Sequence, residues 1–142
     1  MKGKLIWSIF WALVGIFVVI ASVFAIPAVR ELLMGFLFII ISGAAFFLLG
    51  VALIFFTVKG EVGGMLKKFL ILTGASSTGF FVSLLLHYAF YVLFVYFLGE
   101  GVWDRTGIRD DPFFFIMAIV VCPLGFLIGA IGSIVLASKR LR

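Results

Sequence analysis

The chain has 142 residues, of which 65% are apolar, 18% aromatic and 12% charged, with a formal net charge of +5. Soluble domains carry roughly 25% charged residues, so this composition excludes a water-soluble globular protein. It also argues against a nucleic-acid binder, because no separate basic domain carries the excess charge.

A helix needs about 20 apolar residues to cross a hydrocarbon layer roughly 30 Å thick. Four uncharged runs reach that length, over residues 5–26, 32–58, 69–99 and 112–138. None shows the ten-residue polar–apolar alternation of a membrane β-barrel strand, which leaves helices as the spanning structure. The expected fold is therefore an all-α integral membrane protein. It is a four-transmembrane-helix bundle, and residues 1–142 make a single membrane domain.

The first run follows Lys2 and Lys4. These lysines and a cleavage site at Val23-Phe24-Ala25 would suit a signal peptide, but the run exceeds the usual apolar core of about 7–15 residues, so an uncleaved span is expected. Within it Ser8, Gly15 and Ser22 recur every seven residues, with Ala12 on the same face. A short connection with Arg30 and Glu31 leads to the second run, where Gly43 and Gly50 are again seven apart. Lys59, Gly60, Gly63-Gly64, Lys67 and Lys68 then predict a turn, with the last two lysines reaching out to headgroups at the start of the third span.

The third run is the least uniform. Its stretch TGASSTGFFVSLLLHY, residues 73–88, holds four serine and threonine hydroxyls in its first six residues, a further serine, and the chain's single histidine. At about 100° per residue, Thr73, Ser76, Ser83, His87 and Tyr91 fall within an arc of about 80°; Ser77 widens it by about 40° and Thr78 points away. An unpaired polar group in hydrocarbon costs a few kcal/mol, so this stripe is expected to face another helix, another subunit or a water-filled path. Hydroxyls as interhelical links, or bonded to the carbonyl four residues back, are the simpler reading. His87 suits a proton-linked residue with Ser76, Ser83 and Tyr91 as neighbours. As a haem ligand it would need a second axial partner, Met34 or Met117 or another copy of the chain.

Between the third and fourth runs, Glu100, Asp104, Asp110 and Asp111 outnumber Arg105 and Arg109. Trp103 suits an interfacial anchor, and Asp111-Pro112 suits an N-cap followed by proline at the first helical position. In the fourth run Phe113-Phe114-Phe115 is expected to meet lipid in part. Ala118, Cys122, Gly125, Gly129 and Gly132 share one face, and Pro123 predicts a kink near Ile119 to Pro123. Cys122 has no partner in the chain; its expected role is that of a small apolar side chain in a packed interface.

With four crossings, Lys2, Lys4, Lys59, Lys67, Lys68, Lys139, Arg140 and Arg142 share one side, which places both termini in the cytoplasm. Glycine and serine strips on each helix predict close backbone packing, since apolar side chains gain little by leaving lipid for one another. The expected packing glycines are Gly43, Gly50, Gly125, Gly129 and Gly132. No catalytic arrangement, metal-ligand spacing or nucleotide-binding loop is present, so no enzyme activity, metal or cofactor is expected. The expected function is that of a structural or accessory subunit of a membrane, prokaryotic in outline. Its expected partners are the lipid bilayer and either further copies of itself or a larger membrane complex, without nucleic acid. The alternative is a small oligomeric channel or transporter whose path is lined by the third-span stripe.

Overall fold

The computed structural model describes residues 2–28, 31, 36–99, 101 and 116–142. Four long helices account for nearly all of them. They are α1 Lys2–Ala25, α2 Phe36–Lys59, α3 Gly64–Leu98 and α4 Met117–Arg140, the last opening with a π-helical turn over Met117–Val121. Each is long and apolar enough to cross a membrane, the architecture of a multi-pass membrane protein. The expected N-cap at Asp111-Pro112, the Trp103 anchor, the acidic loop and the Phe113–Phe115 run lie outside the described residues, as do Met34 and Arg30.

The helix ends follow from local chemistry. Lys59 closes α2 in its last turn, where a cation meets the negative end of the helix dipole, and its ammonium sits 4.3 Å from the Phe55 ring centroid. Gly60 continues the last hydrogen bond, its N–H donating to the Phe56 carbonyl at 2.8 Å. Gly64 then enters α3 at φ +69°, a left-handed conformation that glycine adopts without strain. The turn expected from Gly60 and Gly63-Gly64 is thus where the chain reverses.

Successive helices run in opposite directions, and contacts at one end show which termini meet. A Cβ on Gly60 would come within 3.2 Å of the Ile6 side chain, and Arg140 Nη2 donates to the Gly63 carbonyl at 3.2 Å. The start of α1, the α2–α3 turn and the end of α4 are therefore neighbours. Lys4, Lys59, Lys67, Lys68, Lys139, Arg140 and Arg142 gather there, and this is the lysine end of the bundle.

The core is concentrated toward that end. Ile6, Ile9, Phe10 and Leu13 of α1 meet Phe46 and Leu53 of α2, Leu66 and Leu70 of α3, and Phe126 and Ala130 of α4. Phe17 stacks on Phe126 with centroids 4.5 Å apart, and Phe46 lies 5.4 Å from the same ring. Toward the other end buried residues are fewer among those described, Val23 of α1 and Ala118 of α4 being the examples. Beyond Ser83 no residue of α3 is buried, and its last turns present side chains to the outside on every face.

One expectation fails on α1. Its strip of Ser8, Ala12, Gly15 and Ser22 does not face the bundle: a Cβ on Gly15 would meet nothing within 4 Å, and Ser8, Ala12 and Gly15 are exposed. Helical spacing sets the strip and the Ile6–Leu13 face on different sides of α1, and the bundle takes the bulky side. Phenylalanine also enters the interior, with Phe10, Phe46 and Phe126 all buried.

Candidate functional site

The polar stripe of α3 divides between two neighbours. Along α3 toward its start, Ser76, Thr73 and Phe69 meet Gly125, Gly129 and Gly132 of α4 in turn, an antiparallel register in which each step down one helix is a step up the other. The fit is close: a Cβ on Gly125 would lie 2.6 Å from Ser76 Oγ, and one on Gly129 would lie 2.5 Å from Thr73 Oγ1 and 2.8 Å from the Thr73 backbone nitrogen. On Gly132 it would strike the Phe69 ring at 2.5 Å. Glycine lets the two backbones approach because no side chain stands between them.

Ser77 lies some 40° around the helix from Thr73 and turns to α2 instead. Its hydroxyl donates to the Phe46 carbonyl at 2.6 Å, a bond between helices. Gly50 sits directly on the Ser77 hydroxyl, and a Cβ there would come within 2.9 Å of the Gly74 carbonyl. Gly74 in turn would place a Cβ 2.8 Å from the Gly50 carbonyl. These two glycines form a backbone contact that needs both. Gly43, one strip position further on, would meet the Phe81 ring at 3.1 Å. α3 is thus the central helix, with the most extensive contacts to both α2 and α4, while α1 joins chiefly through α2.

Three of the buried hydroxyls, Thr73, Ser77 and Ser133, bond to carbonyls of the chain itself. Thr73 donates to the Phe69 carbonyl at 2.8 Å in its own helix, and Ser133 does the same to Gly129 at 2.8 Å. Thr73, Ser76, Ser77 and Ser83 are all buried. Two further hydroxyls, Thr57 Oγ1 and Thr78 Oγ1, are buried with no hydrogen-bond partner. Neither Thr57 nor Gly74 stands out in the sequence. Thr57 is a lone hydroxyl in an apolar run, and Gly74 is detectable only once its partner Gly50 is known.

His87 and Tyr91 are placed apart from the buried part of the stripe. His87 is half-buried and lies edge-on to Tyr88, with centroids 5.7 Å apart, whereas Tyr91 is 44% exposed. From Ser76 to His87 is about 16 Å along the helix at 1.5 Å per residue. Tyr88, Tyr91 and Tyr96, all the tyrosines of the chain, lie exposed on the final turns of α3. Such residues suit a headgroup layer, where an apolar ring and a polar tip are both accommodated.

Pro123 follows the π-helical turn of α4. Cys122 N–H donates to the Met117 carbonyl across the wider loop, and Pro123 itself offers no N–H to Ile119. A π-helical turn over Met117–Val121 lies where a kink was expected near Ile119 to Pro123. Among the described residues no group of three histidine, cysteine or acidic side chains converges as a metal site would require. Chemically, the assembled stripe offers hydrogen bonds and close backbone contact. No family model, curated protein or solved structure matches the chain.

Proposed function

We propose that this chain is a structural or accessory subunit of a membrane assembly, crossing the bilayer four times with both termini in the cytoplasm. The lysine end supports that orientation, since Lys and Arg accumulate on the cytoplasmic side of short loops. One observation carries the subunit role. Helices in lipid associate through small-residue strips. The strips of α2 and α4 pack against α3, whereas Ser8, Ala12 and Gly15 of the α1 strip are exposed and a Cβ on Gly15 would meet no described atom within 4 Å. Its serines need no partner of their own, because Ser8 Oγ donates to the Lys4 carbonyl at 3.0 Å and Ser22 Oγ to the Val18 carbonyl at 2.7 Å. A smooth, internally satisfied strip suits close approach by a helix of another subunit, a second copy or a larger complex. The reading assigns the chain no catalytic chemistry and no cofactor.

The alternative, an oligomeric channel or transporter lined by the third-span stripe, needs those hydroxyls to face water. Burial of Thr73, Ser76, Ser77 and Ser83 against helices of the same chain favours the subunit reading over it.

Gly15→Leu tests the proposal, because the site has room for the new side chain within the fold. In native gel electrophoresis of gently extracted membranes, the wild type should migrate in an assembly well above its 15.6 kDa. The variant should lose at least tenfold of that assembly and keep its helix content. Equal migration of the two proteins would defeat the reading.

A further inference from the structure

A cavity of about 360 Å³ lies between α1 and α4, away from the lysine end. Its floor is made by the buried residues Phe46, Ser76, Cys122 and Phe126. Its mouth lies between Ala21 and Phe24 of α1, both exposed, and Ile119 of α4. The π-helical turn and Pro123 border it, so the same irregularity that disturbs α4 shapes the wall. π-turns within α-helices are frequently found at functional sites.

We propose that this cavity binds one acyl chain of a membrane lipid drawn from the leaflet opposite the lysine end. Depth selects the occupant. At 1.5 Å per residue, Phe17 lies about 20 Å along α1 from Lys4 and Ala25 about 31 Å, while Phe126 and Ile119 lie about 20 and 30 Å along α4 from Lys139. In a hydrocarbon layer of roughly 30 Å the cavity therefore occupies the far third, at the level of that leaflet's own chains. Water is a poor filler. A buried water needs about two to four polar partners, and the lining offers one hydroxyl, Ser76, and one thiol, Cys122, a weak donor and acceptor, among ten apolar side chains.

Size agrees with this occupant. A methylene takes about the volume of a water molecule, roughly 30 Å³, so the space admits on the order of a dozen chain carbons. Left empty, the Phe46 and Phe126 rings would forfeit dispersion contacts that a chain restores. The bilayer supplies such chains at the mouth without any further partner, and the proposal is independent of the subunit role.

Native mass spectrometry of delipidated protein titrated with phosphatidylglycerol tests it, using Ala21→Trp to fill the mouth and Leu85→Trp as a control on an exposed face of α3. Wild type and Leu85→Trp should each retain one phospholipid per chain under activation that strips the rest, and Ala21→Trp should retain at least tenfold less. A second readout is the rate at which N-phenylmaleimide alkylates Cys122, which bound phosphatidylglycerol should slow at least tenfold in the wild type and not in Ala21→Trp. Equal lipid retention by Ala21→Trp and the wild type overturns the proposal. So does protection of Cys122 by hexadecane without protection by phosphatidylglycerol, which would make the ligand a free apolar molecule.

Discussion

At the scale of single residues, buried hydroxyls differ in what they contribute. Ser77 forms a bond between helices to the Phe46 carbonyl, and hydrogen bonds between membrane helices are worth about 0.6 kcal/mol on average and up to about 1.7. Thr57 is fully buried and bonds to nothing, so its hydroxyl is desolvated without return. Ser77→Ala should therefore destabilise the fold by about 1 kcal/mol, whereas Thr57→Val, which keeps the shape and removes the orphan oxygen, should leave stability unchanged or raise it. Unfolding by denaturing detergent, followed by circular dichroism, measures both. A loss on Thr57→Val as large as that on Ser77→Ala would mean that Thr57 has a partner in solution. The α3 hydroxyls were legible in the sequence as one polar stripe, whereas Thr57 was not. Which of them bonds across helices was not legible either, because the choice between the carbonyl four residues back and a neighbour depends on how close that neighbour stands.

At the scale of helices, close approach is set by a few glycines and can be tested by adding one methyl group. A Cβ on Gly129 would meet the Thr73 nitrogen at 2.8 Å and the Phe69 carbonyl at 3.0 Å, both backbone atoms that yield only if the helices move apart. Overpacking of this kind costs about 1–3 kcal/mol. Gly129→Ala and Gly50→Ala should each fall in that range by the same unfolding assay, and Gly15→Ala should stay within about 0.5 kcal/mol of the wild type, as substitutions away from contacts do. Equal effects at Gly15 and Gly129 would contradict the register of α3 on α4. Sequence spacing alone identified Gly43, Gly50, Gly125, Gly129 and Gly132 as strip positions. The same spacing misplaced α1, because periodicity shows that a strip exists and not which way it faces. Ile6, Ile9, Phe10 and Leu13 form an equally regular face, and the bundle used that one.

At the scale of the whole molecule, the buried core of the described helices gathers at the lysine end. Length and hydropathy made the four spans legible, and the basic residues foretold the end at which they gather. The cavity by Pro123 was not legible, because it depends on a gap between helices, which no single run of residues encodes. α3 is 35 residues long, about 52 Å at 1.5 Å per residue, against 24 residues for α1 and α2. Its last turns hold His87 and all the tyrosines, so the polar stripe has a buried half, Thr73 to Ser83, packed on α2 and α4, and a more exposed half from His87 to Tyr91.

The central claim is that the buried half meets helices and no water, and thiol accessibility tests it most directly. In a Cys122→Ser background, Ser76→Cys and Ser83→Cys should react with a membrane-impermeant maleimide at least a hundredfold more slowly than Glu61→Cys, which sits in the exposed turn between α2 and α3. Reaction of Ser76→Cys at a rate approaching that of Glu61→Cys would place water along the stripe and contradict the account.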